Sequence, residues 1–154
     1  MTETMPDAEG APPPDGFQRH FRQSPLTDPW EPLFSRVEED AVVLGVRVRR
    51  AHCNAKGILH GGFISALADN AMGLTCAHKL GGTNRLVTVS LAVDFLGSAR
   101  TGQWIEFRTS FTKPGRTLCF AQAFVTADGK PCARANAVFH VSPVSEAAAD
   151  VTAA

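Results

Sequence analysis

The stretch HCNAKGILHGGFISALADNAMG, residues 52–73, decides the fold of this chain. It begins as a glycine-containing loop. Residues 63–80 contain no proline and are followed by the stop signal Gly81-Gly82, which predicts one long helix. This helix is apolar almost all the way round, which is typical of a helix that other elements surround. Its conspicuous exception is Asp69, a carboxylate that must be paired, solvated or neutralised if it is buried.

Alternating patterns on both sides of the helix predict strands. Before it, residues 41–50 (AVVLGVRVRR) place a valine and leucine series on one side, as in a strand with one buried face. After it, four segments alternate in the same way, with turn residues between them: residues 85–97, 103–114, 117–127 and 131–141. In the first of these, the residues from Val87 to Phe95 at every second position are expected to share one face, and Thr88 and Ser90 the other.

This order of elements predicts an α+β fold in which a curled antiparallel β-sheet wraps around one long central helix. A single sheet covers such a helix on one side only. Because a second copy of the chain is the simplest cover for the other side, we expect at least a dimer. The length of 154 residues indicates one domain, over residues 26–141. Residues 1–25 are rich in proline and predict a disordered arm, and residues 142–154 predict a flexible tail.

The composition argues against several classes of partner. Lys and Arg total 15 and are balanced by 15 Asp and Glu, so no basic excess is present for nucleic acid binding. The longest apolar run is too short to cross a membrane, and the N-terminus does not have the pattern of an export signal. The four cysteines have neither disulfide nor zinc spacing, which indicates free thiols in a reducing compartment. We therefore expect a cytoplasmic protein without a metal, a membrane or nucleic acid as partner.

The loop before the helix and the helical carboxylate together suggest acyl chemistry. Gly61 and Gly62 fall at the helix start, where backbone N–H groups are unpaired and suit an anion or a developing oxyanion. Asn54 and His60 add neutral hydrogen-bonding groups in the same loop, and Asp69 follows two turns later. A donor cluster with a carboxylate provides a base or nucleophile and a site for the negative charge of a carbonyl oxygen.

The run Asn54-x-x-Gly57-x-x-His60-Gly61-Gly62, followed by Leu67-Ala68-Asp69, resembles the signature of hotdog-fold acyl-CoA thioesterases of the PaaI-like and thioesterase superfamily member 2 group. The resemblance extends over roughly residues 30–141. It implies hydrolysis of an acyl-CoA thioester, with coenzyme A as part of the substrate and with no other cofactor. It also implies a homodimer whose sheets join edge to edge, commonly paired again into a tetramer, with the active sites at the dimer interface.

The resemblance also implies roles for single residues. Asp69 would be the general base or the nucleophile, and the Gly61 N–H would polarise the thioester carbonyl. Asn54 would position the attacking water or the carbonyl, and His60 would support the loop and interact with the thioester region. Thr88 would help to hold the water.

Further residues are candidates for substrate contacts. Gly62 and Ser65 lie near the predicted helix start, and Ser90 carries the same hydroxyl group as Thr88 two residues along the strand. Arg100 and Arg116 follow strand ends and could bind the phosphates of CoA. The apolar residues Phe63, Met72 and Leu96 indicate an aryl or medium-chain acyl group.

Two other functions stay open at this stage. His60 and Asp69 would also suit a hotdog-fold dehydratase or hydratase that acts on acyl thioesters, although the loop pattern matches the thioesterases better. The third reading is a non-catalytic acyl-CoA-binding module. A buried carboxylate gives a pure binder no advantage, so Asp69 argues against that reading.

Overall fold

The computed structural model of the chain describes residues 11–82 and 84–143. Short 3-10 helices lie at Asp28–Trp30 and Arg50–His52. The strands and the α-helix follow in this order: β1 (Gln18–Arg19), β2 (Phe34–Val37), β3 (Val42–Arg47), α1 (Gly61–Lys79), β4 (Asn84–Phe95), β5 (Trp104–Lys113), β6 (Leu118–Ala127) and β7 (Lys130–Pro143).

All seven strands join one antiparallel sheet in the order β1-β2-β3-β5-β6-β7-β4. The sheet curls around α1, which contacts β3, β4, β5, β6 and β7. The predicted fold class, a curled antiparallel sheet around one long helix, is therefore confirmed. The strands predicted after the helix differ from β4 to β7 by two residues at most at each end, because alternating burial and turn residues mark their limits.

Helix α1 is bounded by two local hydrogen-bonding motifs. His60 is its N-cap, and the imidazole Nδ1 accepts a hydrogen bond from the Gly62 N–H at 2.8 Å. At the other end, the N–H of Gly81 donates to the carbonyl of His78 and the N–H of Gly82 donates to that of Ala77. Both glycines have positive φ, so these bonds form a Schellman motif. The helix begins two residues earlier than predicted because His60 caps it.

One stripe of α1 is left partly open by the sheet. Most of the large side chains of α1 are buried in the core, and the ring of Phe139 on β7 lies 3.4 Å from where a Cβ of Gly73 would be. We call the half-buried residues along the other side the open stripe, and they are Ala66, Asp69, Asn70, Gly73, Leu74 and Ala77. The spacing of the stripe is that of one helix face. The carboxylate that interrupts the apolar sequence lies within it.

A second, smaller core lies on the outer face of the sheet and includes part of the N-terminal segment. The ring of Phe17, which is 7% exposed, packs edge-on against Trp104 with 5.1 Å between ring centroids. These rings cover Val43 and Gly45, so β3 is buried on both faces and not on one as predicted.

The prediction of a disordered arm over residues 1–25 is accordingly wrong for its second half. Phe17 is buried, and Gln18 and Arg19 pair with β2, because an aromatic side chain can anchor a segment that is polar on average. Ser142 and Pro143, predicted to begin the flexible tail, are the last residues of β7. The rest of the two predicted end segments, residues 1–10 and 144–154, lies outside the described residues.

A β-bulge divides β4 into two parts with opposite facing. Thr88 pairs with Phe139, which belongs to the core, whereas Ser90 pairs with Val138, and the register shifts between them at Val89. Because directly paired residues point to the same side of a sheet, Thr88 faces α1 and Ser90 faces outward. The expectation that Thr88 and Ser90 share a face is therefore wrong, and simple alternation does not extend through this strand.

Strand β4 is an edge strand that carries exposed apolar side chains. It pairs with β7 on one side, and its other edge meets no described strand. Val89 is 62% exposed, and Val87, Leu91 and Phe95 are exposed as well. No helix in the described part of the chain is long and apolar enough to cross a membrane.

Candidate active site

A cavity of about 550 Å³ lies beside the open stripe of α1. Its lining combines apolar and polar side chains, with Leu44 from β3, Leu74 from α1 and Phe139 from β7 among the apolar ones. Asp69 and Thr88 are two of its polar lining residues. A concave space that combines apolar walls with convergent polar groups is suited to binding a small molecule.

Asp69 and Thr88 form a direct hydrogen bond. The Thr88 hydroxyl donates to Oδ1 of the Asp69 carboxylate at 2.8 Å. Among the described residues, no side chain or backbone group donates to the second oxygen, Oδ2, so this atom is left for a water molecule or a substrate. Thr88 therefore fixes the orientation of the carboxylate without occupying both of its oxygens.

Two predicted hydroxyl contacts lie elsewhere. Ser90 faces the outer side of the sheet because of the bulge at Val89, which places it across the sheet from Asp69. The Ser65 hydroxyl donates to the carbonyl of Gly61 at 2.8 Å, one turn back along the helix. Of the three hydroxyl residues proposed from the sequence, the structure brings only Thr88 to the carboxylate.

Asn54 organises the loop that leads to α1. Its Oδ1 accepts hydrogen bonds from the N–H groups of Lys56 and Ile58, at 2.9 and 3.2 Å. Gly57, at φ +72°, makes the turn that these bonds enclose. The side-chain amide nitrogen of Asn54 donates to no described residue. Its position is set by the loop, which the hydrogen bonds to Oδ1 stabilise.

The helix start presents backbone donors without a partner among the described residues. The Gly62 N–H is bound to the imidazole of His60, as described above. The Gly61 N–H donates to no acceptor in the described residues, and the ring of Phe95 touches the glycine from β4. The Phe63 N–H has no acceptor among the described residues either, and Gly61 is thus one of two donors at this helix end that remain available for a carbonyl oxygen.

A model of the Thioesterase superfamily matches residues 56–133, half of the chain, from the loop through α1 to the start of β7. The chain belongs to the thioesterase superfamily. It is therefore a thioester hydrolase, and the resemblance seen in the loop and helix motif is confirmed.

Individual relatives agree with this family assignment. The chain is 40% identical over 129 residues to a Pseudomonas aeruginosa protein that is named provisionally as an esterase, a match that covers 83% of this chain and 96% of that protein. It is 32% identical over 104 residues to human acyl-coenzyme A thioesterase 13, with 65% and 72% covered. A mutant of the phenylacetic acid degradation protein PaaI from Thermus thermophilus has the same fold, with a TM-score of 0.67 at 24% identity over 76% of this chain and 98% of that one.

Within one chain of this thioesterase, Asp69 and Gly61 are too far apart to act on the same carbonyl group. They lie about two turns apart on one straight helix, which at the usual rise corresponds to about 12 Å. A base and an oxyanion donor must each come within about 3 Å of the reacting atoms. The two groups of one chain therefore cannot both reach one carbonyl group.

The two predicted CoA-binding arginines lie at opposite ends of the sheet. Arg100 pairs with Ile58, next to the loop that holds the free N–H of Gly61. Arg116 lies in the turn before β6, close to the end of β7. Both side chains are exposed. In a single chain, Arg100 is therefore near the helix start, whereas Arg116 is roughly 30 Å away along β5.

Several residues singled out in the sequence are part of the core. Phe63 and Met72 are buried and do not line the cavity, and Leu96 is exposed beyond the end of β4. The cysteines are free, and burial raises the pKa of the Cys76 and Cys132 thiols, which makes both poor nucleophiles. Among residues 11–82 and 84–143, no group of three His, Cys, Asp or Glu side chains could hold a metal ion.

His52 supports the active-site loop, a role that the sequence pattern did not indicate. Its side chain is 1% exposed; Nδ1 accepts from the Arg49 N–H at 3.1 Å, so Nε2 carries the proton and donates to the Trp30 carbonyl at 3.0 Å. The carbonyl of His52 accepts from the N–H of His60. Burial lowers the pKa of His52 to about 4. A second proton on the ring would have to bind Nδ1, where it would face the Arg49 N–H, which is also a donor. The folded protein therefore keeps the imidazole neutral.

The lowered pKa of His52 predicts a loss of stability at mildly acidic pH. The unfolded chain takes up a proton near pH 6.5 and the folded chain only near pH 4, so the free energy of unfolding should fall as the pH decreases through this window. His52→Gln should be less stable at pH 7 but should lose less stability between pH 7 and pH 5. Urea unfolding of both proteins at a series of pH values measures this, and parallel pH profiles would contradict it.

Proposed function

We propose that the chain hydrolyses the thioester of an aryl- or medium-chain acyl-CoA to the free acid and CoA. The observation that carries the proposal is the Asp69 carboxylate, oriented by Thr88 at the wall of a cavity that also has apolar side chains in its lining. The name of the human relative, acyl-coenzyme A thioesterase 13, supports CoA as the thiol part of the substrate.

The proposed reaction needs a carboxylate, an oxyanion donor and water. As a general base, Asp69 takes a proton from a water molecule, the oxygen of which attacks the thioester carbonyl. As a nucleophile, it attacks the carbonyl itself, and water then hydrolyses the resulting anhydride. In both routes the C–S bond breaks, and the CoA thiolate leaves and takes up a proton. The Gly61 N–H stabilises the negative charge on the carbonyl oxygen. Asn54 and His60 position the loop around it, and no cofactor takes part.

We propose further that two copies of the chain form each active site. The separation of Asp69 and Gly61 in one chain supports this, because a second chain can bring its own Gly61 to the first chain's Asp69. The unpaired edge of β4, with its exposed apolar side chains, supports edge-to-edge joining of two sheets. The phenylalanines exposed on the outer face of the sheet, Phe111, Phe120 and Phe124, support a further pairing of dimers into a tetramer.

The structure gives the dehydratase alternative no specific support. In that reading His60 would be the catalytic base, whereas its Nδ1 is bound to the Gly62 N–H as a helix cap. We therefore keep hydrolysis as the single proposed activity.

Replacement of Asp69 by Asn tests the proposed function. An amide neither accepts a proton from water nor attacks a carbonyl, so turnover should fall by roughly tens-fold or more. The measurement is thiol release from a panel of aryl and aliphatic acyl-CoAs, detected with a thiol reagent. Sedimentation should show an unchanged oligomer. Wild-type turnover in Asp69→Asn would remove the basis of the proposal.

A pair of hydroxyl variants tests the role of Thr88. Thr88→Val keeps the side-chain shape but removes the donor to Asp69, and kcat should fall by roughly tenfold or more. Ser90→Ala is the matched control, because this hydroxyl is on the outer face and its loss should leave kcat unchanged. Equal effects of the two substitutions would contradict the facing that the bulge produces.

A charge on the β4 edge tests the two-chain site. Val89→Asp places like charges near each other in an edge-to-edge dimer, so sedimentation should show monomers and thiol release should be lost with the dimer. Phe124→Asp, on the outer face of β6, should leave the dimer and its activity intact. Full activity in a monomeric Val89→Asp protein would show that one chain suffices.

A further inference from the structure

The segment between β1 and β2 forms one wall of the cavity that holds Asp69. Six of its residues line the cavity, and they are His20, Phe21, Arg22, Ser24, Thr27 and Leu33. The chemistry described above assigns none of them a role. They share the lining of the cavity with residues of the open stripe of α1.

Contacts at both ends hold this wall in place. On one side, Arg19 pairs with Phe34, and the His20 N–H donates to the carbonyl of Leu33 at 2.9 Å. On the other side, Thr27 is buried, its hydroxyl lies 3.0 Å from that of Ser24, and a turn follows. The few residues between these anchors, with Phe21 first among them, span the cavity as a short fixed wall.

Phe21 is the large apolar side chain of this wall. It is 62% exposed although it lines the cavity, so a ligand in the cavity would cover apolar surface that water now contacts. The ring of His20 lies beside it, with 4.6 Å between ring centroids. Burial lowers the pKa of His20, and its Nδ1 is buried without a partner in the described residues, so both rings are uncharged.

We propose that Phe21, positioned by His20, is a specificity-determining residue that contacts the distal part of the acyl group and limits its length. This inference rests on the proposed function. Because the wall is anchored at both ends, a longer acyl chain has to displace the Phe21 ring rather than move the whole segment aside. Shorter chains leave the ring partly exposed and gain less from burial.

Variants of Phe21 test the inference directly. Phe21→Ala should raise the ratio of kcat/KM for long to medium acyl chains by roughly tenfold or more, because it opens the far end of the cavity. Phe21→Trp should shift the preference toward shorter chains. Phe124→Ala, which removes a phenylalanine of similar exposure from the outer face of β6, should keep the wild-type profile. Since Phe21 is exposed, its replacement should not unfold the protein.

The experiment uses saturated acyl-CoAs of increasing chain length, with thiol release as the readout, and calorimetric binding of the corresponding non-hydrolysable thioether analogues. An unchanged chain-length profile in Phe21→Ala would overturn the inference. If the oligomeric state changed while the profile stayed the same, Phe21 would be covered by a second chain rather than by substrate, and the inference would also be wrong. If the wild-type protein released no thiol from any substrate, the proposed function would fail, and the thioether binding profiles would still decide the role of Phe21.

Discussion

Helix α1 is apolar on nearly every side, and the sheet of the same chain covers it incompletely. The core residues of α1 contact five strands, while the open stripe is left to the cavity and to the side chains that line it. Apolar area gains stability only where it is removed from water. The uncovered side of α1 therefore has to be covered by a ligand, by a second chain or by the N-terminal segment. The cavity and the wall at Phe21 both lie along this incompletely buried face.

The bulge at Val89 connects the sheet to the carboxylate in the open stripe. Without the extra residue, regular alternation would place Val87 and Leu91 on one face of β4 and Thr88 and Ser90 on the other. With it, the inner face carries Thr88 in the first half and Leu91 in the second half, so that a hydroxyl faces Asp69 and an apolar side chain faces the core. Bulges often redirect one side chain at functional sites, and this bulge has that effect.

The fold was largely predictable because it depends on periodicity and on turn residues, which are local properties of the sequence. The loop residue Asn54, the cap His60 and the carboxylate Asp69 were also recognisable, since their residue types are unusual beside an apolar helix. The bulge was not predictable, because an unpaired residue leaves no mark in an alternating pattern. The burial of Phe17 was missed since its anchor, Trp104, is distant in the sequence. The support given by His52 depends on a contact with Trp30 for the same reason.

A carboxylate in an apolar helix costs stability unless its oxygens find partners. In this structure one of the two oxygens of Asp69 has a protein donor. Thr88 donates to Oδ1, and Asp69 lines the cavity. A second protein donor at Oδ2 would stabilise the fold more, but it would occupy the atom that a base or nucleophile needs. The proposed role of Asp69 as base or nucleophile would account for an oxygen that has no donor among the described residues. The same reasoning applies to Gly61, whose N–H is left free at a helix start where a capping side chain could have bound it, as His60 binds the N–H of the next residue.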